Sequence, residues 1–248
     1  MADTQVQDAI REQYGAIVRP GRNSEDLLRT GELRMTRAFA LLLLLASAVA
    51  TVNGQDPYTV APQAYRKQFE NDRVRVTRVH YGPNETIAEH AHPGRPSMFI
   101  YLNDGGPVAF RHQHGESGTY AATRPATKAG AYRLAAGRDE THIVENKSDL
   151  PSDFLQVEIK IPIDAKSFSG RRFRDPAEAR QNFTRVEFEN AQVRITRIGC
   201  VDGVPCRVPS SEPGLVVSLS TGDTRWIDGG DSSQKPTLSG ELLVLAFK

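Results

Sequence analysis

Along residues 57–161 apolar side chains alternate with polar ones and show no convincing stretch of helical spacing. Leu155, Val157, Ile159 and Ile161 show this best, each separated from the next by one residue. A period of two places one set on one face of a strand. The pattern predicts strands over 74–81, 87–92, 98–102, 108–111, 131–134, 142–144 and 154–161, then over 184–189, 193–198, 215–219, 224–227 and 242–247. Twenty glycines and fifteen prolines supply turns between them. Many short strands with such turns indicate an all-β chain, a barrel or sandwich.

The pattern also repeats. FENDRVRVTRV begins at Phe69 and FENAQVRITRI at Phe188, with seven of eleven positions identical. Each copy closes on a matching strand, FLQVEIK from Phe154 and LLVLAFK from Leu242. The second copy lacks a counterpart of about 25 residues around HQHGESGTYAATRPATKAG. Between the copies, DAKSFSGRRFRDPAEARQN is polar and charged and reads as a linker, with one helical turn expected after Pro176. The chain therefore divides into 1–34, an extension; 35–54; 55–162, the full β unit; 163–182, the linker; and 183–248, a trimmed copy.

Residues 38–50, AFALLLLLASAVA, form an apolar run of thirteen. A membrane-spanning helix needs about 20. The run suits a secretory signal, with Arg37 before it and Ala48-Val49-Ala50 as small residues for cleavage. Met35 would begin that signal, so residues 1–34 read as an upstream extension of a misassigned start. Val6, Ile10, Tyr14 and Ile17 give that extension a short amphipathic pattern and no chemistry. An exported protein, periplasmic or secreted, is expected. The only cysteines, Cys200 and Cys206, flank a hairpin-turn signal, Asp202-Gly203, and an oxidising compartment favours their disulfide. A reactive or metal-binding pair ranks lower, because the spacing is not that of a redox CxxC.

With 31 basic and 30 acidic side chains the net charge is +1, which gives no long-range attraction to nucleic acid or anionic lipid. The partners expected are a small-molecule ligand or substrate and, for assembly, a homodimer. Neither nucleic acid nor, after signal cleavage, membrane is expected.

All six histidines fall between His80 and His142. His90 and His92 are one residue apart, so on a strand both imidazoles project to one face. Neutral imidazole is the commonest protein ligand of first-row transition metals. A third nitrogen must come from another strand, and His142 is the best candidate. His112 and His114 form a second His-x-His pair in the extra loop, read chiefly as solvated surface and otherwise as a lid or an outer contact to the site. His80 reads as a packing residue, and Trp226, Phe99, Tyr101 and Phe154 read as core.

GPNETIAEHAHPGRPSMFIYLNDG resembles the first motif of the cupins, and GAYRLAAGRDETHIVEN, with His142 and Asn146, resembles the second. The resemblance covers residues 65–161 well and 183–248 weakly, which suggests a bicupin. It implies a jelly-roll β-barrel holding a divalent metal through His90, His92 and His142, with Asn146 a hydrogen-bonding residue. The family's usual carboxylate ligand is missing, since Pro96 and Ser97 stand where a Glu is expected; Glu140 is a substitute candidate. Family members without that Glu include three-histidine iron dioxygenases, so iron is favoured, with zinc or manganese as alternatives. In the second copy Pro209 and Ser211 stand opposite His90 and His92, so that half reads as structural. A non-catalytic cupin that binds a small ligand, or retains a metal for stability, is the alternative to an enzyme.

Overall fold

The structure, a computed structural model, describes residues 55–114, 118–173, 182–201, 208, 211–230 and 240–248. The expected signal peptide, the extension before it, the turn after Pro176, Cys206 and Pro209 lie outside these residues. Among the described residues no helix is long and apolar enough to cross a membrane.

One short helix, α1 (Pro57–Val60), precedes fifteen strands. The first nine are β1 (Tyr65–Glu70), β2 (Val74–Tyr81), β3 (Thr86–His92), β4 (Ser97–Tyr101), β5 (Val108–His114), β6 (Gly118–Arg124), β7 (Tyr132–Ala135), β8 (Glu140–Asn146) and β9 (Ser152–Ile159). Then follow β10 (Gly170–Arg172), β11 (Phe183–Glu189), β12 (Val193–Cys200), β13 (Gly214–Ser218), β14 (Thr224–Ile227) and β15 (Gly240–Phe247). They form three antiparallel sheets, ordered β1-β2-β9-β4-β7-β10, β3-β8-β5-β6 and β11-β12-β15-β13-β14.

The six- and four-stranded sheets enclose one core. Val79, Tyr81, Tyr101 and Phe154 from the first meet Ile87, Val108 and Val144 from the second. This is an all-β, jelly-roll β-barrel of cupin type. The five-stranded sheet repeats the order of the barrel's larger sheet strand for strand, with β11, β12, β15, β13 and β14 in the places of β1, β2, β9, β4 and β7. Even the irregularity repeats: β1 bulges between Lys67 and Phe69, and β11 at the equivalent Val186 and Phe188. Among the described residues of the second copy no strands correspond to β3, β5, β6 and β8, and the one sheet described there is the counterpart of the larger sheet.

That sheet lies against the outer face of the first copy. One apolar cluster joins Val74, Val76, Leu155 and Val157 to Val193, Ile195, Leu215, Val217 and Leu245. Each such fully buried side chain stabilises by about 1.5–3 kcal/mol. Strand alternation divides the work on β9: Leu155, Val157 and Ile159 face the second copy, while Phe154 packs in the barrel and Gln156 lines its cavity.

Two sequence expectations need correction. The 163–182 segment is not simply a linker: β10 pairs with β7, and Phe168 is fully buried in the shared core and packs edge-on against Phe188. His80 is exposed, because Val79 and Tyr81 take the inward positions beside it.

Candidate metal centre

His90, His92 and His142 stand on the four-stranded sheet, aimed into the barrel. His90 on β3 sits directly across from His142 on β8, and His92 across from Glu140. A bulge between Ile87 and His90 shifts the strand's alternation, so that Ile87 joins the core and His90 still points inward. One ring nitrogen each from His90, His92 and His142 lies within 4.8 Å of the others. The ring centroids are 4.9 Å apart for His90–His92 and His90–His142, and 5.2 Å for His92–His142.

His90 Nδ1 lies 2.7 Å from the carbonyl of Ala88, which can only accept, so Nδ1 carries the proton. Nε2 is then a free lone pair, and the Tyr65 hydroxyl donates to it at 2.8 Å. Tyr65 also meets the Tyr81 hydroxyl at 2.8 Å. Burial pushes the Tyr65 phenol well up and the Tyr81 phenol to about 12, so both remain protonated donors. Burial lowers His90 to about 4 and, with the neighbouring imidazoles, His92 to about 3. Both are therefore neutral near pH 7, the form that ligates a metal. His142 Nδ1 is buried without a hydrogen-bond partner; Glu140 Oε2 is its nearest carboxylate oxygen, at 3.6 Å. A compact set of three imidazoles, with His142 Nδ1 buried and unpartnered, fits a divalent ion.

His112 differs from its sequence reading. It lies on β5 rather than in a loop, is 4% exposed, and stands across from His142 on the other side of β8. Its ring stacks on Tyr120, with centroids 4.4 Å apart. His112, Glu140 and His142 form a second group of potential ligands that shares His142 with the first. Burial pushes the Glu140 carboxyl up, but the His142 ring and Arg138, 2.6 Å away, outweigh it and hold the group at about 2. His114 ends β5, and its side chain lies outside the described residues. Asn146 is buried and donates to the carbonyls of Gly82 at 2.8 Å and Leu150 at 2.9 Å, away from the imidazoles. Cys200 is disulfide-bonded, and Cys206, the only other cysteine, lies outside the described residues.

A cavity of about 340 Å³ opens beside the triad. His92, His142, Glu140 and Tyr65 line it on one side, and Phe99, Phe154 and Gln156 of the larger sheet on another. Ser97, in the region where the family places a Glu, lines it with a short side chain that donates to the Arg95 carbonyl. Gly137 holds φ +84°, and a Cβ there would sit 2.3 Å from Arg95. Only glycine lets these two rim segments close on each other.

Tyr65, Arg124 and Arg133 are site residues that the sequence reading missed. Arg133 had a signal: it lies between Tyr132 and Leu134, both of which face the second copy, so alternation turns it inward. Tyr65 and Arg124 lie on edge strands with little alternation to betray them.

No family model matches this sequence, and no curated protein matches it. Among solved structures the chain is similar to a cupin domain from Bordetella pertussis, at 24% identity and TM-score 0.31 over 39% of this chain and 92% of that one. It is similar to the protein YhaK from Escherichia coli, at 13% identity and TM-score 0.46, covering 78% and 92%. It is also similar to oxalate decarboxylase from Bacillus subtilis, at 20% identity and TM-score 0.28, covering 35% of this chain and 21% of that one. Sheet order and the histidine geometry remain the basis for the fold and the site.

Proposed function

We propose that this is an exported cupin-type protein that holds one divalent metal, iron in first place and zinc or manganese after it, through His90, His92 and His142. The mutual approach of three inward-facing imidazoles, two of them, His90 and His92, held neutral by burial, carries this reading. With three protein nitrogens on one face, iron would offer open positions for dioxygen and a small organic substrate, and zinc or manganese a Lewis acid. The chain's own part is to keep His90 and His92 neutral, to shield the three imidazoles within the barrel and to offer a cavity beside them. Export rests on residues 35–54 and on the oxidised Cys200. A second reading, a non-catalytic barrel that binds a small ligand, is favoured by the short Ser97 in the cavity wall and by the trimmed copy's lack of a histidine-bearing sheet.

Metal content tests the proposal. The chain, purified without a histidine tag, should carry or take up about one equivalent of metal by mass spectrometry, and the triple variant His90→Ala, His92→Ala, His142→Ala none. No uptake by the parent after reconstitution would overturn it. Oxygen consumption by the iron form in the presence of a substrate separates the enzyme from the binding protein.

A further inference from the structure

We infer that the cavity beside the histidines receives an organic anion, a carboxylate on an aromatic or apolar body, with Arg124 and Arg133 as its receptors. The inference deepens the metal-centre reading, and rests on it for the anion's placement beside the metal.

Five charged side chains line this cavity: Arg95, Arg124, Arg133, Arg138 and Glu140. Arg138 and Glu140 neutralise each other at 2.6 Å. Arg95 shares the field of Glu158, though its buried Nη1 also has no hydrogen-bond partner. Arg124 and Arg133 have no ion pair among the described residues, and the buried Nε of each has no hydrogen-bond partner. Both side chains are half-buried, and a charge partly out of water without a counter-charge is costly, two on one cavity more so. Burial lowers the Arg124 pKa, Tyr101 and Tyr81 oppose it in part, and the nearby Arg133 lowers it further. An anion between them would relieve both penalties.

The two guanidinium groups are also fixed in place. Arg124 lies 5.2 Å from the ring centres of both Tyr101 and Phe154, and its Nη2 donates to Ser152 Oγ at 2.6 Å. Arg133 lies 4.3 Å over Phe99. Stacking occupies a guanidinium's face and leaves its edge, the fork that matches a carboxylate. Their strands come from different sheets, β6 and β7, so the charges converge only once the barrel has closed. Phe99, Phe110 and Phe154 supply apolar wall for the rest of the ligand, while His92 and His142 open on the same space.

Benzoate and its neutral isostere benzamide provide the test. Each is titrated calorimetrically into the full chain, once zinc-loaded and once stripped with a chelator. Benzoate should bind about 10-fold tighter than benzamide in both forms. Arg124→Gln and Arg133→Gln should each remove most of that preference without changing zinc content or benzamide binding. Absence of benzoate binding, equal binding of the two ligands, or a preference that survives both substitutions would overturn the inference. So would a preference that disappears when zinc is stripped, which would place the carboxylate on the metal. The wild-type comparison decides the matter even if a variant fails to fold. A chain that takes up no zinc yet prefers benzoate would overturn the metal reading alone.

Discussion

Arg78 and Arg197 occupy the same place in the two copies of the repeat, and each reaches the backbone of the opposite copy in the equivalent turn. Arg78 Nη1 donates to the Thr221 carbonyl at 2.8 Å, and Arg197 Nη2 to the Gly130 carbonyl at 2.8 Å. Gly130 and Gly222, which follows Thr221, hold φ of +77° and +76° in those matching turns. The copies thus face each other about a pseudo-twofold axis, as two subunits of a symmetric dimer would.

The two arginines should not weigh equally. Arg197 is fully buried and pairs with Glu187 at 2.8 Å and Glu241 at 2.6 Å. Arg197→Met leaves both carboxylates without their buried counter-charge and should cost about 3–5 kcal/mol in urea unfolding. Arg78, 35% exposed, should cost about 1 kcal/mol on the same change.

Because one apolar layer joins the copies, they should melt together. Leu155→Ala in that layer should lower stability by about 2–5 kcal/mol. Calorimetry should still show a single transition for the folded unit. Two separated transitions would show the trimmed copy folding independently of the barrel.

Tyr65 donates to the lone pair on His90 that a metal would use. Removing one buried hydrogen bond of about 1 kcal/mol translates into about fivefold in affinity. Tyr65→Phe should therefore tighten zinc binding by about that factor, read by competition with a chelating dye. Weaker binding would instead make the phenol a support of the bound metal.

Glu70 accepts from Lys160 at 3.1 Å and Arg75 at 3.2 Å, and these partners lower it from 4.5 to about 2. A carboxyl depressed on folding adds stability that is fully present above its unfolded pKa and lost as pH falls through its folded one. Its exposure limits the effect to about 1 kcal/mol. Glu70→Gln should be less stable than wild type at pH 7, and the gap should close as pH falls from about 4.5 to about 2.

Strand positions with strong alternation were legible in the sequence. The predicted 74–81 and 224–227 match β2 and β14, and 154–161 overlaps β9. Three edge strands, β1, β6 and β10, were not legible. β1 exposes half of its residues, β6 is half polar and bounded by glycine, and β10 is exposed at all three positions; pairing with a neighbour orders them, not an apolar face of their own. His90, His92 and His142 could be picked by spacing and motif. His112 could not, because its burial depends on β5 running on to meet β8 in register. The cavity's arginines were hidden for a related reason: their setting is made by a facing sheet, which no local pattern reports.

The division of β9 between its two faces has a consequence for how this chain can change. Leu155, Val157 and Ile159 answer to the neighbouring copy, and Phe154 and Gln156 to the cavity. β4 divides likewise, with Met98 and Ile100 against the copy and Ser97 and Phe99 on the cavity. Substitutions at Gln156 or Phe99 can therefore redraw ligand preference while the layer behind them is unaltered. Drift at Leu155 or Ile100 would be felt as thermal tolerance, leaving selectivity alone. A single ribbon of backbone thus lets durability and taste in ligands evolve on separate clocks.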